Sequence, residues 1–305
     1  MFKVGFVSAI FAEKSFEEVI DFASENQFDC VEIMCWPKGK AERRYAGVTH
    51  IDVDDLNDEK LNHIKQYLKE RNVFISALGY YPNPLDADFE KRAIYLKHIK
   101  KIILAAQKLS ITVVNTFIGR SQLASLEENF TLFEQNWLPI IRYAENYNIK
   151  IGIENCPMFF TQDEWPNGKN MAISPPTWDR LFSIANSENL GLNYDPSHAI
   201  WQQMDYISHI KDYSEKLFHV HLKDAKLHKE KLAKVGILAT PLEYHTPKLP
   251  GRGDVDWSLF LLELKMTNYS GPIVIEFEDK EFEKSDEDIK IGLLTTKKYI
   301  SQFNS

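Results

Sequence analysis

Four acidic or imidazole side chains close short apolar runs in this chain. They are Glu154 in Ile151-Gly152-Ile153-Glu154, Asp195 in Asn193-Tyr194-Asp195, His221 in His219-Val220-His221, and Glu276 in Ile273-Val274-Ile275-Glu276. Charged groups are rarely buried unless they are paired or bound to a metal, so four of them ending strand-like segments ask for one explanation. A shared divalent cation supplies it. Three carboxylates and one imidazole make a hard, mostly oxygen donor set that suits Mn2+, Mg2+ or Co2+, and Zn2+ also accepts these ligand types. Mn2+ ranks first, and one such ion is the expected cofactor. Taken singly, each residue reads as an ordinary strand-end salt bridge or loop cap.

Neighbouring residues extend the constellation. His219 and His221 share a face by the two-residue period of a strand, and His221, nearer the carboxyl end, is the better ligand. His219 is then a packed or supporting histidine. His198, three residues after Asp195, is placed to orient a substrate hydroxyl or support the metal shell. Lys223, Asp224 and Arg252 stand where they could hold hydroxyl or anionic groups. Arg252-Gly253-Asp254 reads as a turn before a helix opened near Asp256, and Asp86, Asp88 and Glu90 read as a helix N-terminus.

Positioning these groups takes an alternation of β-rich apolar runs with longer amphipathic stretches, the pattern of parallel strands covered by helices. Eight strands are predicted: 4–11, 30–36, 74–81, 112–118, 150–156, 190–196, 217–224 and 272–278. Helices are predicted to begin near Ser15, Asp58, Asp88, Leu126, Pro175, Tyr206, Asp256 and Asp286, with Ser15, Asp58 and Asp256 as N-caps. No strand leads into a GxGxxG or GxxxxGK[ST] phosphate loop, which disfavours a doubly wound open sheet. The expected fold is therefore α/β, a (β/α)8 TIM barrel formed by residues 1–305 as one domain. Long βα loops fall at about 37–55, 158–175 and 226–254, on the face where barrels carry their active sites.

Bulk properties fit. The 305 residues suit one barrel with insertions. Hydrophobic residues at 44% and charged residues at 26% indicate a globular core. A net charge of −8 opposes attraction to a phosphate backbone, so no nucleic-acid partner is expected. The three cysteines, Cys30, Cys35 and Cys156, show no CxxC spacing and fit a reduced compartment. No apolar run reaches the ~18 residues of a membrane span, and the N-terminal run reads as a buried first strand. The expected location is cytoplasmic, without membrane association.

Together the segments Ile153-Glu154-Asn155, Asp195-Pro196-Ser197-His198, His219 to Asp224, Pro250 to Asp254 with Trp257, and Ile275-Glu276 resemble the sugar phosphate isomerase/epimerase superfamily of xylose isomerase-like TIM barrels. The resemblance spans nearly the whole chain. It implies a metal held by Glu154, Asp195, His221 and Glu276, acting as a Lewis acid on a sugar carbonyl and stabilising an enediolate. It further implies that Glu154 and Glu276 are the catalytic pair, moving the proton on opposite faces of the substrate. Free-ketose 3-epimerases tend to carry a Glu where this chain has Phe160 and an Arg where it has Leu227, so the resemblance to that branch is incomplete.

Leu78 to Pro84 and Asn115 to Arg120 resemble a branch acting on 3-keto-glycosides, which adds Arg120, Tyr81 and Trp36 to the expected substrate-binding set. Tyr80 and Trp165 lie near the same predicted mouth. The implied function is a divalent-metal-dependent sugar isomerase or epimerase. The alternative is a lyase that eliminates or deglycosylates 3-keto-glycosides, with a partner subunit. Ranked below these are an AP-endonuclease-type phosphodiesterase and a sugar-binding barrel without chemistry. The implied partner is a small-molecule sugar or keto-glycoside, and related barrels are often homo-oligomers.

Overall fold

The computed structural model describes residues 1–39, 45–159, 161–166 and 168–304, so Phe160 and part of the first long loop lie outside the described residues. The strands are β1 (Val4–Val7), β2 (Cys30–Met34), β3 (Phe74–Gly79), β4 (Val113–Thr116), β5 (Lys150–Glu154), β6 (Leu190–Tyr194), β7 (Leu217–Leu222), β8 (Asp224–Leu227), β9 (His245–Lys248) and β10 (Ile273–Ile275). Eight of them close a parallel barrel in the order β1-β10-β7-β6-β5-β4-β3-β2. This is the expected barrel, with every expected strand in place. The predicted strands run too far at their carboxyl ends. The first stops at Val7, where Ser8–Phe11 winds into a 3-10 turn, and the last spans only Ile273–Ile275. Beyond those points the backbone leaves the ladder to present side chains at the rim.

The covering helices are α1 (Phe16–Glu25), α2 (Asp58–Arg71), α3 (Phe89–Leu109), α4 (Leu126–Asn146), α5 (Pro175–Ala185), α6 (Ser197–Trp201), α7 (Ser208–Asp212), α8 (Lys229–Val235), α9 (Trp257–Met266) and α10 (Asp286–Ser301). Local chemistry starts several of them. Ser15 and Ser125 form capping boxes with Glu18 and Glu128, and Asp88 and Asp256 accept hydrogen bonds from the first-turn amides. Asn57, rather than the expected Asp58, caps α2, which leaves Asp58 in the first turn, where a negative charge meets the positive end of the helix dipole.

Alternation sorts each strand into two faces. Ile151, Ile153, Leu192, Val220, Leu222, Ile273 and Ile275 belong to the main buried core with the helices. The opposite face, inside the barrel, carries a polar layer: His219 Nδ1 meets Asn193 Oδ1 at 2.9 Å and its Nε2 meets Ser76 Oγ at 3.1 Å. Gly152 makes room for this layer, because a Cβ there would lie 2.4 Å from Asn115 Oδ1.

The third long loop is itself structured. β8 and β9 pair antiparallel from Asp224↔Lys248 to Leu227↔His245, and α8 lies in their connection. No helix among the described residues is long and apolar enough to cross a membrane. The three cysteines are free thiols.

Candidate active site

At the carboxyl rim of the barrel lies a cavity of about 780 Å3 whose lining includes Trp36, Tyr81, Glu154, His198, His221, Lys223 and Glu276. One ligand atom each from Glu154, His221 and Glu276 lie within 4.8 Å of one another. These groups come from the ends of β5, β7 and β10; β7 and β10 are neighbours in the barrel, β6 lies between β7 and β5, and the rim brings all three ends together.

His221 is held between two carboxylates. Its Nε2 faces Glu32 Oε2 at 2.7 Å and its Nδ1 faces Glu276 Oε2 at 3.0 Å. Burial alone would lower the imidazole pKa, but the charge of Glu32 and the Glu276 contact outweigh it and push it well above the usual histidine range. Glu32 is fully buried and also accepts a hydrogen bond from the Tyr81 hydroxyl. Gly79 leaves the space for it, since a Cβ there would stand 2.6 Å from Glu32 Oε1. Burial, then the charge of Glu32, push the Tyr81 phenol far up, so it stays protonated.

Lys223 is 3% exposed, and its ammonium links the remaining acids. Nζ lies 2.9 Å from Glu276 Oε1, 3.1 Å from Asp195 Oδ2, 3.8 Å from Glu278 Oε2 and 3.9 Å from Glu154 Oε1. His198 Nε2 is 3.2 Å from Asp195 Oδ2 and 3.4 Å from Glu154 Oε1. Asp195 therefore turns toward Lys223 and His198, beside the Glu154, His221 and Glu276 trio. Burial would raise the Asp195 carboxyl, but Lys223 and His198 outweigh it and hold it well below the ordinary range. Glu276 behaves likewise: Lys223 and His221 overcome burial and bring it down to about 2. Glu154 shifts the other way, raised by burial and by the charge of Glu276.

This donor set fits a cation. Five carboxylates, Glu32, Glu154, Asp195, Glu276 and Glu278, face Lys223 and the imidazoles of His198 and His221. Glu154 Oε1, Asp195 Oδ2 and His198 Nε2 are buried and are held only by ion-pair contacts with one another and with Lys223, without hydrogen-bond geometry. Buried polar atoms normally find partners, so oriented lone pairs of this kind are what an ion would use.

Other expected site residues are placed differently. Asp224 lines the cavity, but its carboxylate accepts from the amides of Ala225, Gly251 and Val255 and from Trp257 Nε1. It organises the loop and has little capacity left for substrate. Gly253 allows this, since a Cβ there would sit 2.1 Å from Asp224 Oδ1. Arg252 is outside the lining and bridges Asp279 and Glu281, which do line the cavity, its Nε 3.0 Å from Asp279 Oδ2. Arg120 is also outside the lining, with its amide bonded to Asn83 Oδ1 at 2.8 Å. Tyr80 packs edge-on against Trp36 and His98, and the Trp165 indole donates to the Leu238 carbonyl at 3.0 Å. Leu227 ends β8, and Phe160 lies outside the described residues.

Sequence reasoning missed several residues here. Glu32 sits inside a strand rather than at its end, although it is the one charge in Cys30-Val31-Glu32-Ile33-Met34. Trp201 lies three residues beyond His198 on α6, a spacing that shares a helix face. Its ring stacks on His245 with centroids 5.2 Å apart, and both line the cavity.

The profile of the xylose isomerase-like TIM barrel family matches residues 20–299. Inosose dehydratase from Lactiplantibacillus plantarum is 25% identical over 238 residues, covering 72% of this chain and 73% of that protein. Among solved structures, the IOLI protein with a binding zinc atom superposes with a TM-score of 0.71 at 18% identity, covering 99% of each chain. The apo form of 3-keto-D-glucoside 4-epimerase, YcjR, from E. coli superposes with a TM-score of 0.70 at 16% identity, covering 99% of this chain and 100% of that one. Structural likeness at these identities bears on the fold alone.

Proposed function

The chain belongs to the xylose isomerase-like TIM barrel family, and on that premise we propose that it abstracts a proton α to the carbonyl of a keto-sugar or keto-polyol. The observation that carries this reading is the convergence of Glu154, Glu276 and His221 on one cavity beside the buried Lys223. Two carboxylates reaching the cavity from separate strands provide a proton acceptor and a proton donor. Their pKa values are pushed in opposite directions, the pattern of an acid and base pair. Either carboxylate can take the α-proton on one face while the other returns it on the opposite face.

Glu154, Asp195, His221 and Glu276 would hold one divalent cation, with Mn2+ ranked ahead of Mg2+, Co2+ and Zn2+. When bound, that ion supplies Lewis acidity toward a carbonyl oxygen. Glu32 fixes the His221 ring through Nε2, so that Nδ1 is the nitrogen presented to the site. His198 and Lys223 offer donors to substrate hydroxyls, while Trp36 and Tyr81 offer aromatic walls at the cavity. The substrate is a small, uncharged or singly charged polyol in this reading.

The same deprotonation leads either to reprotonation, which is epimerisation or isomerisation, or to loss of a β-substituent, which is a lyase reaction. Lys223 bears on the second outcome, because its buried ammonium at the cavity can hydrogen-bond a departing hydroxyl. Its support from relatives is the inosose dehydratase match. The deciding experiment incubates Mn2+-loaded protein with ketoses, 3-keto-glycosides and inososes and identifies products by NMR. An epimer or isomer supports the first outcome, and an unsaturated ketone with released water or aglycone supports the second. Unchanged substrate across the panel contradicts both.

A further inference from the structure

We propose that Glu154, Cys156 and His198 form a second cation site, thiophilic and adjoining the first through Glu154, and that its occupancy withdraws His198 from substrate. Their ligand atoms lie within 4.8 Å of one another. Two of them, Glu154 Oε1 in a residue 3% exposed and His198 Nε2 in a residue 7% exposed, are buried atoms that have ion-pair contacts, His198 Nε2 also with Asp195 Oδ2 at 3.2 Å, but no hydrogen bond. They stand 3.4 Å apart, and two ligands at zinc-like bond lengths in a tetrahedral shell stand about 3.4 Å apart.

The backbone around the three residues is fixed. Asn155 clamps the start of the next strand end, its Oδ1 accepting from the Asp195 amide at 2.8 Å and its Nδ2 donating to the Asp195 carbonyl at 2.9 Å. On the other side Asn170 Nδ2 donates to the carbonyls of Glu154 at 3.0 Å and Cys156 at 2.8 Å. Four hydrogen bonds thus tie the end of β5 to Asp195, just before α6, and to the second long loop. Cys156 lines the cavity and is partly exposed, whereas Cys30 and Cys35 are buried.

The donor chemistry differs from that of the first site. A thiolate with one imidazole and one carboxylate selects Zn2+ or Co2+ over Mn2+ and Mg2+, and it leaves a fourth position open. Binding breaks the S–H bond and forms a metal–sulfur bond, the proton passing to solvent, with no change of oxidation state. With Nε2 coordinated, His198 no longer donates to a substrate hydroxyl. The site is independent of which sugar reaction the cavity performs.

Chelator-stripped protein titrated with Co2+ tests this. Wild type is expected to bind about two ions per chain, and the near-ultraviolet thiolate-to-cobalt charge-transfer band should grow in. Cys156→Ser and Cys156→Ala should each bind one ion with no such band. On the wild type alone, X-ray absorption of the zinc-loaded protein should show a sulfur neighbour at about 2.3 Å. Absence of the band and of the sulfur neighbour in wild type, or a band that survives in a folded Cys156 variant, overturns the proposal.

Discussion

Glu32 is not among the lining residues and acts on the cavity through His221 and Tyr81, yet it carries more of the site's geometry than several residues that line it. Carboxylates that accept the second nitrogen of a ligand histidine fix its tautomer, and their loss costs about 10–100-fold in metal affinity. Glu32→Gln should therefore weaken Mn2+ binding by that range in a titration followed by calorimetry, with the fold retained. Unchanged affinity would leave Glu32 a packing residue. Asp224 makes the opposite case. It resembled a substrate ligand, but it anchors three amides and an indole. Asp224→Ala strands those donors and should lower unfolding free energy by about 3 kcal/mol in urea titration. Charge at a strand end was legible in the sequence and pointed to Glu154, His221 and Glu276. What was hidden is how many hydrogen bonds each charge already has, because donors such as the Gly251 amide and Trp257 are distant in sequence.

Elements were legible where periodicity or caps dominate and hidden where tertiary pairing overrides them. All eight barrel strands followed from apolar runs. The β8 and β9 ribbon did not, because His245-Thr246-Pro247-Lys248 carries a proline that argues against a strand, and only an edge position accommodates it. The first long loop docks through His50, whose Nε2 faces the Phe11 carbonyl at 3.1 Å and whose amide donates to the Met34 carbonyl at 3.0 Å. Burial lowers the His50 pKa to about 4 from the usual 6.5. The unfolded chain takes up a proton near pH 6.5 while the folded protein resists until about pH 4. This contribution is therefore full above the unfolded value and is lost as pH falls through that window, on the order of 3 kcal/mol. The stability gap between wild type and His50→Gln in urea should narrow between about pH 7 and pH 4. Parallel curves would show that His50 is not the group responsible.

At the scale of the molecule, the barrel closes where β1 meets β10, and the chain's far end secures that seam. Asn304 Oδ1 accepts from the Phe2 amide at 2.8 Å and its Nδ2 donates to the Phe2 carbonyl at 2.9 Å. Asn304→Ala leaves both buried backbone groups unpaired and should cost about 2 kcal/mol in urea titration. No local pattern announces a contact between residues 2 and 304. The barrel itself was legible because alternation and loop placement repeat along the whole length, and its rim is what turns separated strand ends into one cavity. Removal of an α-proton by a carboxylate pair depends on the residues, the strands that carry them and the closed barrel together. Its most direct test is proton NMR in D2O of a keto-sugar and inosose panel with Mn2+-loaded wild type, Glu154→Gln and Glu276→Gln. Deuterium should enter one α-position with wild type, and that exchange should fall by at least about 100-fold in either variant. Exchange that persists in both variants, or none with wild type on any substrate, would contradict it.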